Sequence, residues 1–118
     1  MNAKEFNKIV ERRINLLRDG LINKGEEYAD EDDRFHNFNR AAEMTRRTPE
    51  ECLTHFQAKH IVSIMDLVDE IANMEDGEYF VSDEEYIEEK IGDAIAYYVI
   101  LEAMLKERIR NTDKELLE

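Results

Sequence analysis

The residue types that break helices or cross-link chains are scarce in this sequence. Its 118 residues include one cysteine, one proline, four glycines and no tryptophan. Because Cys52 stands alone, the chain has no internal disulfide and no zinc site built from several cysteines. With few helix breakers and few of the strongest strand-forming residues, long helices are favoured over sheets. We therefore expect an all-α fold.

Long apolar runs are missing as well. No stretch reaches the roughly 18 apolar residues of a membrane-spanning helix, and residues 1–8 are too polar for a signal peptide. We therefore expect a cytoplasmic protein without a membrane partner. A length of 118 residues suits one compact domain of about 100–150 residues. Residues 1–118 are accordingly expected to form a single helical domain.

Acidic side chains are abundant and unevenly distributed. The chain carries 29 acidic and 16 basic side chains, for a net charge of −13, and residues 61–118 hold 17 of the acids but only 5 of the bases. This charge repels nucleic acids and anionic membranes, so we expect no direct nucleic-acid partner. Three interpretations of the acids remain open: a solvated helix surface, a metal site, or a surface that imitates nucleic-acid phosphates for a basic host protein.

The first third of the chain contains one long and one short helical pattern. Phe6, Val10, Leu17 and neighbouring apolar residues repeat at helical spacing, which predicts a helix from about residue 2 to 24. A loop is expected over residues 25–37. A short apolar helix should follow around residues 38–44.

Two capping boxes predict two further long helices. Thr48, with Pro49 next and Glu51 at the third position, begins a helix that should run to about residue 73 or 74. Ser82 and Glu85 form a second box, from which the last helix should continue to about residue 110.

The link between the two capped helices is short, so they should form an antiparallel pair. Asp76 and Gly77 supply its turn signal. With the first helix packed across the pair, the expected architecture is an antiparallel bundle of three long helices plus one short helix. Residues 94–105 are apolar nearly all round, so we expect a homo-oligomer to complete the bundle. The alternative is burial of this segment under the loop and the first helix.

Carboxylates recur on one face of the last helix. Glu85, Glu89, Asp93 and Tyr97 are four residues apart, so their side chains stack along that face. Like charges at this spacing destabilise a helix unless a cation lies among them, and Mg²⁺ is held by one or two carboxylates together with waters and phosphate oxygens. Glu89 and Asp93 are therefore candidate magnesium ligands. The alternative is that Glu85 serves the capping box and the other two pair with basic neighbours.

Asp66 and Glu70 are candidate metal ligands on the preceding helix. They share a face with Lys59, and the expected register of the hairpin places Asp66 at a height between Glu89 and Asp93. Asp66 can join those two only if the hairpin packs through its minor faces or across a subunit interface. The alternative is an ordinary solvated face.

Several side chains have the chemistry to bind a nucleotide. Lys24, Lys59 or Arg13 would contact phosphates, and Tyr28 or Tyr97 would stack on the base. The alternative is that Tyr28, Phe35 and Phe38 cap the bundle core.

Four segments resemble a known group of proteins. Residues 24–29, 32–38, 58–66 and 88–98 resemble small uncharacterised phage and prophage proteins. More distantly they resemble the all-α nucleoside-triphosphate pyrophosphohydrolases, the MazG-like and dimeric dUTPase-like group. The resemblance spans about residues 20–105. It implies a helical fold in which two antiparallel helices hold Mg²⁺ against the phosphates of a nucleotide.

The carboxylate motifs of that group are matched in part. Its ExxD motif is approximated by Glu89 and Asp93, which are four rather than three residues apart. In place of its EExxE motif stand Lys59, His60, Ser63 and Asp66, with Glu70 further along. The resemblance implies a nucleotide-binding protein and, if it is catalytic, a magnesium-dependent pyrophosphohydrolase that cleaves between the α- and β-phosphates. The alternative from another class is a non-enzymatic acidic protein that binds a host protein.

Overall fold

The computed structural model describes residues 1–23 and 33–117. Within this part the chain forms four α-helices and no strand: α1 Ala3–Arg18, α2 His36–Thr45, α3 Pro49–Ala72 and α4 Glu84–Leu117. A π-helical turn, Asp19–Asn23, continues α1. The predicted all-α fold of three long helices and one short helix is therefore confirmed. None of the helices within residues 1–23 and 33–117 could span a membrane, given their lengths and polarity.

Side-chain caps explain where α1 and α3 begin. The Oδ1 of Asn2 accepts a hydrogen bond from the backbone N–H of Glu5 at 2.9 Å, and the Glu5 carboxylate accepts from the backbone of Asn2. At α3, the hydroxyl of Thr48 accepts from the backbone N–H of Glu51 at 3.1 Å. These reciprocal bonds satisfy amide groups that the helix itself leaves without partners. The predicted start of α3 is confirmed.

The last helix departs from prediction at both ends. Asp83 rather than Ser82 caps it, because Oδ1 of Asp83 accepts from the backbone N–H of Glu85 at 3.0 Å. A carboxylate at this position also meets the positive end of the helix dipole. At its other end α4 reaches Leu117 instead of stopping near residue 110.

The two longest helices form an antiparallel hairpin, as predicted. The link contains a turn in which the backbone N–H of Glu78 donates to the carbonyl of Glu75 at 3.1 Å. Gly77 within it has a φ of +88°, a conformation that glycine adopts without steric cost. Farther along the hairpin, Nε2 of Gln57 donates to the carbonyl of Ala94 at 2.9 Å.

The core lies where α2 packs onto the hairpin. Phe38 of α2 meets the rings of Phe56 and Tyr97, with centroid distances of 6.4 and 5.8 Å. Leu53, near the start of α3, is completely buried. Few residues of the described part are buried: Ala42, Cys52, Leu53, Gln57, Ala94 and Met104. The single chain therefore has a small core for its length.

The first helix packs against α4, where Arg12 and Arg13 bind Glu88. The helices spread out instead of closing around one centre. The radius of gyration is 18.2 Å and the extents are 65 × 33 × 28 Å, whereas a compact chain of this length has a radius of about 13.5 Å. Much of the apolar surface is therefore left uncovered.

A bidentate ion pair joins α3 and α4 at the end of the hairpin away from its turn. Nε and Nη2 of Arg108 donate to the two carboxylate oxygens of Glu50 at 3.0 and 2.9 Å. The hydrogen bond from Arg108 lowers the pKa of Glu50. Because this folded-state pKa lies below that of the unfolded chain, the stabilisation is present at neutral pH and is lost as the pH falls through the folded-state value.

We expect Glu50→Gln to lower the free energy of unfolding at pH 7 by about 0.5 kcal/mol, since the pair is partly exposed. The difference from the unaltered protein should vanish in acid. Urea unfolding followed by circular dichroism at several pH values measures this. Glu115→Gln, an exposed change on α4, is the matched control, and a Glu50→Gln effect that persisted unchanged in acid would contradict the assignment.

Candidate functional site

A groove of about 530 Å³ lies between α1 and α4. The α1 wall, with the turn that follows it, consists of Arg12, Arg13, Leu16, Leu17, Gly20 and Leu21. The α4 wall consists of Glu85, Glu88, Glu89, Gly92, Asp93 and Ala96. The groove thus combines guanidinium groups, carboxylates and an apolar floor within one concave surface.

Arg12 and Arg13 reach across the groove to α4. Arg12 holds Glu88 through two hydrogen bonds, from Nε and, at 3.0 Å, from Nη2. The hydrogen bond from Arg12 lowers the pKa of Glu88, and the charges of both arginines act in the same direction. Nη2 of Arg13 donates to the backbone carbonyl of Glu88 at 3.0 Å. These contacts fix α1 against α4 and keep Glu88 ionised.

Gly92 makes room for the guanidinium of Arg13. A methyl group added at Gly92 would lie 2.6 Å from Nη1 of Arg13, which would force that side chain to move. The helix surface is therefore shaped to let a cation lie directly on it. Arg13 has five N–H donors and, within residues 1–23 and 33–117, uses one of them on Glu88, so donors remain there for an anionic ligand.

Glu89 and Asp93 stand one helical turn apart on the α4 wall. Glu89 is exposed and has no hydrogen-bond or ion-pair partner among the described residues. Asp93 lies deeper, with its Oδ2 3.8 Å from Nδ1 of His60 on α3. Two carboxylates at this spacing, with room beside them for waters and a phosphate, match the ligand set that Mg²⁺ takes in nucleotide sites.

His60 and Tyr97 form a supporting layer behind Asp93. Their rings meet edge to face with centroids 4.7 Å apart. Burial, and next the negative charge of Asp93, raises the pKa of Tyr97. Since Phe38 also packs on Tyr97, both rings contribute to the core, which agrees with the structural alternative considered for Phe38.

The other predicted site residues of the hairpin lie outside the groove. Asp66, Glu70 and Lys59 are exposed on α3, and none of them lines the groove. Within residues 1–23 and 33–117, no three His, Cys, Asp or Glu side chains come close enough together to hold a metal ion. The four predicted carboxylates are therefore not assembled within one chain, and only Glu89 and Asp93 share a concave surface.

Two of the predicted nucleotide contacts, Lys24 and Tyr28, lie outside the described residues. Their roles in binding a phosphate and a base stay predictions.

The contribution of Arg12, Glu88 and Gly92 was not apparent from the sequence. Glu88 lies in a run of acids that is indistinguishable by composition from a solvated surface, and its partner Arg12 is 76 residues away along the chain. Arg13 offered one signal, because a charged residue within an apolar stripe needs a polar partner. The identity of that partner depends on how α1 docks.

Known proteins provide no guide to this groove. Comparison of the chain with protein-family models, with curated proteins and with solved structures finds no match. The relationship to MazG-like proteins therefore stays a prediction based on the sequence motifs alone.

Proposed function

We propose that this protein binds a nucleotide with Mg²⁺ in the groove between α1 and α4. The observation that carries the proposal is the placement of Glu89 and Asp93 on one wall, opposite Arg12 and Arg13 on the other. A nucleotide phosphate in the groove could contact both walls at once. Its oxygens complete the coordination of a metal held by carboxylates, and they accept hydrogen bonds from guanidinium groups.

The apolar residues that line the groove suit the base and sugar of a nucleotide. Leu16, Leu17, Leu21 and Ala96 supply an apolar floor next to the charged groups. Ligand sites for small molecules typically combine an apolar lining with a few polar groups that fix orientation. A base or sugar would lie on this floor while the phosphates face the charged groups.

The protein would also hydrolyse the bound nucleotide if the site is catalytic. The MazG-like resemblance supports a magnesium-dependent cleavage between the α- and β-phosphates. When bound, the metal would polarise the phosphate and activate water. On this chain, Arg13 would orient the phosphate and neutralise the charge that develops on the departing pyrophosphate.

We infer a cytoplasmic, phage-type product that works as a homo-oligomer. The resemblance of residues 58–66 and 88–98 to phage and prophage proteins supports the first inference, and the small core of the single chain supports the second.

A second candidate function is a non-enzymatic acidic protein that binds a host protein. The turn end of the hairpin favours it, because Asp69, Glu75, Asp76 and Glu78 are all exposed there. Glu88, however, is neutralised by Arg12, and Glu89 and Asp93 line a groove rather than an outer surface. The acids in the first three turns of α4 that line the groove therefore fit a small ligand better than a protein surface.

Thermal unfolding with a panel of nucleoside and deoxynucleoside triphosphates, with and without Mg²⁺, tests the leading proposal. A ligand at about one hundred times its dissociation constant stabilises the folded state by about 2.7 kcal/mol, which raises the melting temperature by several degrees. We expect that increase only when nucleotide and Mg²⁺ are both present. Pyrophosphate release in the same mixtures separates hydrolysis from binding.

A panel without any increase, and without any pyrophosphate, would overturn both forms of the proposal. Selective binding of the chain to a basic host protein, competed by nucleic acid, would then favour the acidic interaction protein.

A further inference from the structure

The hairpin has an uncovered apolar side, which we name the hairpin face. It consists of Ile61, Met65, Val68 and Ala72 on α3, and Ile87, Ile91, Tyr98 and Leu105 on α4. Four of its side chains are half exposed or more, with values of 55% for Met65, 59% for Val68, 54% for Tyr98 and 51% for Leu105. The three isoleucines are partly exposed. Such continuous apolar surface is uncommon on monomeric proteins and marks an interaction site.

Helix geometry places both rows on the same side of the hairpin. His60 and Tyr97 point at each other between the helices, with ring centroids 4.7 Å apart. Ile61 and Tyr98 each follow one residue later, which turns each side chain by about 100° about its own helix. Because the helices are antiparallel, these two turns lead to the same side. The remaining members of each row repeat at spacings of three, four or seven residues and stay on that side.

The other described helices are attached elsewhere on the hairpin. α1 packs against Glu88 and Gly92 of α4, across the groove. α2 packs through Phe38 onto Phe56 and Tyr97. The exposure of Met65, Val68 and Tyr98 shows that neither helix covers the hairpin face.

We propose that the hairpin face is the interface of a symmetric homodimer. Residues 61, 65, 68 and 72 on α3 have the alternating four- and three-residue spacing of helices that pack side by side. On α4, Ala94 and Leu101 complete the same spacing between residues 87 and 105. Two hairpins joined through such rows make a four-helix bundle, in which each row meets the corresponding surface of the second copy.

The surface area of the chain supports a second copy as the occupant. The chain exposes 9610 Å² for a mass of 14.0 kDa, whereas a compact protein of this mass exposes about 6,700 Å². The excess of about 2,900 Å² is larger than the roughly 800 Å² that each partner buries in a stable protein interface. One copy therefore has enough uncovered surface for a dimer, and its uncovered rows are of the type that pair with themselves.

Charge sets the conditions under which this dimer forms. Each copy carries a net charge of −13, so two copies repel each other at long range while the apolar rows attract on contact. Salt screens the repulsion but leaves the apolar contact in place. The dimer should therefore tighten as the salt concentration rises, which is the opposite of an association driven by ion pairs.

Sedimentation equilibrium of the full chain tests the dimer. We expect a mass of twice 14.0 kDa and tighter association at higher salt. Met65→Glu with Tyr98→Glu should raise the dissociation constant at least about 100-fold, because the charges would be buried in the interface. Met44→Glu with Tyr79→Glu is the matched control, since those residues are 83% and 85% exposed and lie outside the hairpin face. Far-UV circular dichroism verifies that each variant remains helical.

Cross-linking gives a second measurement that does not depend on a destabilising charge. A single cysteine forms a disulfide with its own copy only close to the two-fold axis of the dimer. Of Ile61→Cys, Met65→Cys, Val68→Cys and Tyr98→Cys, the variant nearest that axis should form a covalent dimer under mild oxidation, whereas Met44→Cys should not. The native Cys52 is 5% exposed and should stay unreactive. A monomeric wild-type chain, equal dissociation in the face and control variants, or dissociation by Phe6→Glu on α1 alone would overturn the proposal.

Discussion

The double variant Glu89→Gln/Asp93→Asn is expected to bind nucleotide at least about tenfold more weakly than the unaltered protein when Mg²⁺ is present. The reason is loss of the two carboxylates that share the groove wall opposite Arg12 and Arg13. Isothermal titration with the nucleotide that gives the largest thermal stabilisation measures the change. Titration with Mg²⁺ alone should show the same loss.

Whether the variant binds nucleotide more weakly or more strongly distinguishes a metal site from direct repulsion between the carboxylates and the anionic ligand. Removing two negative charges from a groove that binds an anion should strengthen binding if no metal is involved. Weaker binding therefore requires that the carboxylates act through a cation. Glu107→Gln/Asp113→Asn makes the same charge change at exposed positions of α4 outside the groove and should leave affinity nearly unchanged. Stronger binding by the groove variant would contradict the magnesium assignment.

Leu53→Ala is expected to lower the free energy of unfolding by about 3 kcal/mol, since removing a buried leucine side chain leaves a cavity that the surroundings fill only in part. Leu53 is the one large side chain of the described part with no exposed surface, and it lies where α2 packs on the hairpin. Because total stability is typically about 5–15 kcal/mol, this loss should be evident in urea unfolding followed by circular dichroism.

Leu116→Ala is the matched control for the core. It removes the same atoms from a side chain that is 79% exposed near the end of α4, so its expected effect is within about 0.5 kcal/mol. Both variants are compared at one protein concentration, because association of the folded chain makes the apparent stability concentration dependent. Equal losses in the two variants would show that Leu53 is not part of a tightly packed core.

Local features of the sequence were sufficient to predict most helix boundaries. Thr48 and Glu51 marked the start of α3 because a capping box is made by residues three apart, whose contact needs no other part of the chain. The same three-residue spacing predicted Ser82 as the cap of α4, whereas Asp83 is the cap. Neighbouring capping residues have similar chemistry, and the choice between them depends on where the preceding link leaves the chain.

The groove could be predicted only in part. Glu89 and Asp93 were identified because a four-residue spacing places them on one helix face without reference to any other element. Asp66 and Glu70 were added through an assumed packing of the hairpin, but the structure does not bring them to the groove. Arg12 and Gly92 line it for a reason that no spacing reveals, since they meet only once α1 docks on α4.

By itself, the sequence determined that the chain is helical, where two of its long helices pair, and that its second half carries nearly all the net charge. These properties follow from residue types, spacings of three or four, and caps, all of which act within a few residues. Only the tertiary structure decided that Glu88 is neutralised by Arg12, that Tyr97 packs against Phe38, and that Met65 and Tyr98 remain uncovered. Such outcomes depend on which faces of distant helices meet, and that is set by the docking of whole helices rather than by any local interaction.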